Sequence, residues 1–151
     1  MQLQATLESI EKNIPFFDTI KVIYKSDLAF KGGYEALEDI YGKDTFIEQG
    51  NFKEDVLNAF DGDYTLFLTD DDIVFRKTYS GCLEFDKDTV CFSLRLGKNI
   101  SYCYSNNKPN TIKDYIESDV FIEWHWRNQQ LDFAFLYRLQ GMSLEQNLLR
   151  N

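Results

Sequence analysis

The stretch Tyr64-Thr-Leu-Phe-Leu-Thr69, followed at once by Asp70-Asp71-Asp72, decides how the rest of the chain is read. A run rich in β-branched and aromatic residues, without internal Gly or Pro, predicts a buried strand. Three carboxylates at its carboxyl end concentrate negative charge at one edge of a sheet. Like charges that close cost energy unless something positive stands among them. A divalent cation held by carboxylate oxygens meets that need, with water and substrate phosphates completing its shell. In open α/β sheets, ligands gather at the carboxyl ends of strands, where this cluster falls. The same residues also suit a solvated turn, because Asp accepts hydrogen bonds from its own backbone. The chain becomes apolar again directly afterwards, at Ile73-Val74-Phe75, which favours a site over a plain turn.

Upstream of this stretch the pattern alternates. Leu3, Leu7 and Ile10 recur at helical spacing, and Asn13 with Pro15 supplies a stop. Residues 19–24 predict a strand, followed by a polar turn at Lys25-Ser26-Asp27. Gly32-Gly33 precedes a short helix carrying Tyr34, Leu37 and Ile40, which Gly42 ends. Residues 45–47 predict another strand. Asn51 with Glu54 three residues on forms a capping-box signature for a helix with Phe52, Val56, Leu57 and Phe60 as its apolar stripe. Helix, strand, helix, strand, helix, strand is the order of a parallel sheet with covering helices.

Downstream, residues 89–96 predict a further strand, residues 100–104 a short one, and residues 105–110 a loop. The tail carries the apolar stretches 121–126 and 131–136 and then a helical end.

With 151 residues, 44% of them hydrophobic, the chain amounts to one domain with a real core. Its net charge of −9 excludes the basic patch of a nucleic-acid binder and a polybasic membrane anchor. An anionic substrate would then need a metal or a local basic pocket. No run reaches the roughly 20 apolar residues of a membrane-spanning helix, and the start lacks the pattern of a secretory signal. Cys82, Cys91 and Cys103 are odd in number and lack metal-ligand spacing, so they read as buried thiols in a reducing, cytoplasmic setting. Asn99-Ile100-Ser101 matches a glycosylation sequon, which without a secretory signal has no use.

Phe67-Leu-Thr-Asp-Asp-Asp-Ile73, placed after three α/β units, resembles the Asp-x-Asp region of GT-A fold glycosyltransferases, most nearly the family 2-like nucleotide-diphospho-sugar transferases of bacteria. Residues 2–13 and 20–27, Cys91-Phe-Ser-Leu-Arg-Leu-Gly97, Tyr102-Cys-Tyr104, Trp124-x-Trp126 and Asp132-Phe133 extend the resemblance over nearly the whole chain. The resemblance implies a Rossmann-like, mainly parallel sheet with helices on both faces, over a single domain 1–151. It also implies a Mn2+ or Mg2+ ion on Asp70, Asp71 and Asp72, bridging the diphosphate of a nucleotide-sugar donor. By the same resemblance Ser26, Asp27, Asp70 and Asp71 contact the donor. Asp132, set among apolar residues, is the candidate general base for the hydroxyl of an unidentified acceptor. Trp124 and Trp126 read either as faces for a sugar ring or as core. His125 has no companions for a zinc site.

Two features depart from the family pattern. The chain begins within the region of the first helix, without the strand that precedes it. The tail reads Ala134-Phe-Leu-Tyr137 and Gln140-Gly-Met142 where relatives carry other segments and continue. The expectation is a domain truncated at both ends, with an unpaired sheet edge that invites self-association. Two functions follow: a metal-dependent glycosyltransferase of reduced activity, or an inactive remnant or binding module of the same fold. A phosphatase-like Asp nucleophile is a weaker third, lacking an identifiable phosphate loop and downstream Lys.

Overall fold

The computed structural model describes residues 2–60, 62–82, 89, 91–119, 121–134 and 142–145, with Cys82 and residues 142–145 described by backbone alone. Helix α1 spans Gln2–Asn13 and is buried along two faces. Leu7 and Ile10 make one, which Ile14 extends beyond the helix end. Strand β1 (Val22–Tyr24), helix α2 (Lys31–Tyr41) and strand β2 (Phe46–Glu48) follow, and β1 pairs in parallel with β2 in the register Val22↔Phe46, Ile23↔Ile47, Tyr24↔Glu48. Gly42 ends α2 at φ 85°, a conformation that favours glycine. Leu7, Leu37 and Phe46 form the core of this βαβ unit, packed by Val22, Tyr24 and Tyr34. The Tyr24 ring stacks on Tyr34 at 4.2 Å and meets Phe46 edge-on at 6.2 Å.

Helix α3 (Phe52–Ala59) starts as its capping box predicts, with Asn51 Oδ1 accepting from the Glu54 amide at 3.5 Å. Strand β3 (Tyr64–Phe67) follows, its Phe67 ring edge-on to Phe60 at 5.8 Å. Strand β4 is Cys91–Ser93. Strands β5 (Tyr102–Cys103) and β6 (Lys108–Pro109) make a hairpin whose turn passes through Asn107 at φ 51°. Strands β7 (Tyr115–Glu117) and β8 (Ile122–Trp124) pair antiparallel, and β9 (Met142–Glu145) comes from the tail.

The expected Rossmann-like, mainly parallel sheet with helices on both faces is not what forms. Among the described residues the strands are two to four residues long and lie in separate sheets of two or three strands, and β1–β2 is the only parallel pair. The decisive element is β9, which inserts between β3 and β4 and pairs antiparallel with both. The segment expected as a buried strand, residues 64–69, is therefore an edge strand among the described residues, and it stops at Phe67. It stops there because the Asp turn takes over the backbone: the Thr69 amide donates to Asp72 Oδ2 at 2.8 Å, and the Asp72 amide returns to Thr69 O at 3.0 Å. The loop expected at residues 105–110 contains β6, and the tail, expected to end as a helix, supplies β9. The residues on either side of β9 lie outside the described part. Among the described residues, no helix is long and apolar enough to cross a membrane.

The second buried face of α1 is polar. Thr6, Ser9 and Asn13, at 3%, 9% and 8% exposure, fall at i, i+3 and i+7 and form a seam along the helix. Thr6 Oγ1 donates to Asp70 O at 2.7 Å, Ser9 Oγ accepts from the Val74 amide at 3.0 Å, and Asn13 Nδ2 donates to Val74 O at 2.6 Å. Asn13 O accepts from the Thr78 amide at 2.8 Å. One helix thus covers the βαβ unit with its apolar face and binds the backbone that follows β3 with its polar face.

Three expectations follow. Leu7→Ala should lower stability by about 3 kcal/mol, since it empties a fully buried core position; a loss under about 1 kcal/mol in denaturant titration would mean that α1 does not cover the βαβ unit. Ser9→Ala removes the acceptor of the half-buried Val74 amide. Hydrogen exchange at Val74 should accelerate about tenfold or more while the amides of α2 keep their protection; unchanged exchange would disprove the seam. Burial pushes the Cys91 thiol up to about 11. At pH 8 its native-state alkylation should run about a hundredfold slower than that of the unfolded chain, with the rate still rising above pH 10; mass spectrometry of the Cys91 peptide reads this directly.

Candidate functional site

The acidic turn is built by its own side chains. Thr69 Oγ1 donates to Asp71 Oδ1 at 2.6 Å and lies 3.0 Å from Asp72 Oδ2, which also accepts the Thr69 amide. Asp72 is accordingly half-buried and turned back on the chain, while Asp70 and Asp71 are exposed. The backbone of Asp70 is held from behind by Thr6 of α1, so its carboxylate projects from an anchored point. The hydrogen bonds of the three aspartates bear out the turn reading. Asp72 makes the turn, and Asp70 and Asp71 are what the turn presents.

A divalent ion liganded by all three carboxylates does not fit this arrangement. Among the described residues, no group of three or more His, Cys, Asp or Glu side chains is placed to hold a metal. Asp70 and Asp71 are exposed, and an ion that takes one or two carboxylates completes its shell with phosphate oxygens and water.

Ser26 and Asp27 stand directly after β1, Ser26 half-buried and Asp27 exposed. Asp27 precedes the short 3-10 turn Leu28–Phe30, and its carbonyl accepts from the Phe30 amide at 2.9 Å, but its carboxylate makes no capping bond. The link between this turn and the acidic one is α1: Leu7 packs where β1 lies, and Thr6 grips Asp70.

Asp132 sits in the 3-10 turn Leu131–Ala134, 3% exposed, and its Oδ2 accepts from Asn110 Nδ2 at 3.1 Å. Leu131 enters this turn at φ 54°, an unusual conformation for a large side chain. Trp124 belongs to the packing around Asp132: its Nε1 donates to Phe133 O at 3.1 Å and its ring meets Phe133 edge-on at 5.7 Å. Trp126 is half-buried and carries the Arg127 guanidinium 5.2 Å from its ring centre. Trp124 is half-buried, with its packing directed at Phe133. His125 is exposed.

A sequence reading centred on hydrophobic periodicity misses Thr6, Ser9 and Asn13, the residues that position the acidic turn. Their i, i+3, i+7 spacing was the available signal, and it reads equally well as a solvated helix face.

No family model matches the chain, and no solved structure matches it. A bifunctional glycosyltransferase of Dictyostelium discoideum is similar at 27% identity over 95 residues, 58% of this chain. The chain spans 12% of that relative's length. The similarity supports a relationship to a glycosyltransferase and goes no further.

Proposed function

We propose that this chain carries the donor-binding part of a glycosyltransferase that moves a sugar from a nucleotide diphosphate to an acceptor hydroxyl. The observation that carries the reading is the anchored acidic turn, in which Asp70 and Asp71 are presented to solvent while Thr6 and Asp72 fix their backbone. The similarity to a glycosyltransferase supports it independently. In this reading Asp70 and Asp71 are the protein ligands of a Mn2+ or Mg2+ ion, and Asp72 shapes the turn. Bound there, the ion would neutralise the diphosphate and so favour its departure. Ser26 and Asp27, at the end of β1, contact the nucleoside. Asp132 is the candidate base, with Asn110 fixing its orientation.

A second reading, a binding module without metal-dependent chemistry, draws on one observation. Two of the three carboxylates are already hydrogen-bonded to Thr69. Calorimetry with uridine diphosphate, with and without manganese, separates the two. The transferase reading expects binding that requires the metal and weakens at least tenfold in Asp70→Asn/Asp71→Asn, while Asp72→Asn mainly lowers thermal stability. Metal-independent binding, unchanged in the double variant, would replace it with the module. A donor-hydrolysis assay then tests the base: Asp132→Asn should reduce turnover by a factor of about 100 or more with nucleotide affinity intact.

A further inference from the structure

Strand β9 has a consequence for what stands beside the acidic turn. Because β3 and β4 are each antiparallel to β9, they run parallel to one another, and their carboxyl ends lie at the same edge of the sheet. The register is matched, since Phe67 and Ser93 both pair with Met142. Two strand spacings put these residues about 10 Å apart. Three residues beyond Phe67 comes Asp70, and two residues beyond Ser93 comes Arg95.

Among the described residues, Arg95 has no ion-pair partner. Its Nε is buried and has no hydrogen-bond partner, and the ion pairs among the described residues are Lys31–Glu35 and Lys98–Glu117. The other described arginines have ring partners, Arg76 over Phe75 and Arg127 over Trp126. The backbone that presents Arg95 is well defined. Ser93 Oγ accepts from the Arg95 and Leu96 amides at 3.4 and 3.1 Å, and the Ile100 amide closes the next turn on Gly97 O at 2.9 Å. A buried guanidinium nitrogen left without a hydrogen bond is costly, even in a chain of net charge −9 where carboxylates are plentiful. Its planar donor fork matches phosphate oxygens in pairs.

We propose that Arg95 is an anion-binding residue that takes a phosphate of a diphosphate ligand, across the sheet edge from Asp70 and Asp71. Naming the ligand a nucleoside diphosphate rests on the function proposed above; the anion site itself rests on Arg95 and the strand register. The edge then offers two complementary halves, carboxylates that hold a cation and a guanidinium that holds the anion the cation bridges. An acidic protein could in this way bind a dianionic group without a broad basic surface.

The test is calorimetry on the full chain with inorganic pyrophosphate without metal, and with uridine diphosphate plus manganese, for the native protein, Arg95→Met, Arg95→Lys and Asp70→Asn/Asp71→Asn. Arg95→Met preserves the length of the side chain in its partly buried setting, and circular dichroism and thermal melting confirm its fold. Arg95→Met is expected to weaken pyrophosphate binding tenfold or more, and Arg95→Lys to recover part of the loss. Pyrophosphate affinity within twofold of native in a folded Arg95→Met would overturn the proposal, as would native protein that binds neither probe at millimolar concentration. If pyrophosphate binding depends on Arg95 while uridine diphosphate binding ignores the Asp variants, the anion site stands and the metal-dependent donor reading fails. If the Asp variants abolish uridine diphosphate binding and Arg95→Met changes neither probe, the reverse holds.

Discussion

The polar seam of α1 is the constraint on which the rest of the structure depends. A helix that buried only Leu7, Ile10 and Ile14 would cover the βαβ unit and leave the backbone after β3 to find its own partners. Thr6, Ser9 and Asn13 instead take that backbone at Asp70 and Val74, in three hydrogen bonds of 2.6 to 3.0 Å. Each bond contributes modestly when made, but each group left without a partner in this buried seam would cost more. The seam thus acts chiefly by exclusion: any arrangement that pulls residues 70–78 away from α1 leaves several polar groups unsatisfied at once. Because the same helix packs β1 and β2 with its other face, the turn after β1 and the turn after β3 are referred to one rigid element.

The acidic turn shows how one residue type serves two ends. An aspartate next to its own amides closes a turn, and Asp72 does this with both Thr69 donors. Asp71 turns back only through one oxygen, on the same Thr69 hydroxyl. Asp70 is left as an exposed carboxylate on a backbone that cannot drift. Such a point of negative charge is suited to a cation that brings its remaining ligands with it, and ill suited to a cage made wholly of protein.

Strand β9 contributes through direction. Its antiparallel pairing to both neighbours makes β3 and β4 codirectional, as they would be in a parallel sheet, while preventing them from bonding to each other. The carboxyl-end geometry expected of an α/β sheet is thereby retained at this edge even though the sheet itself is antiparallel. The loops carrying Asp70 and Arg95 share an edge for that reason, although 24 intervening residues separate them in the chain.

Much of the first half was legible from local chemistry. The stop of α1 at Asn13, the glycine end of α2 and the Asn51 cap of α3 depend on residues within a turn of one another, so periodicity and capping rules reach them. The acidic turn was legible as a turn for the same reason. The burial of Thr6, Ser9 and Asn13 was not, because a polar helix face is indistinguishable from a solvated one until the segment it binds, more than 60 residues away, is in place. Nor could alternation reveal that the partner of β3 comes from residues 142–145: strand pairing is a choice among distant backbones, and period-2 patterns do not name the partner. The amino-acid sequence by itself determined the helices, their ends and the placing of three carboxylates after an apolar strand. Only the tertiary structure decided which carboxylates face solvent, which helix holds them and which cation shares their edge, because those outcomes depend on hydrogen bonds and strand directions between segments far apart in the chain.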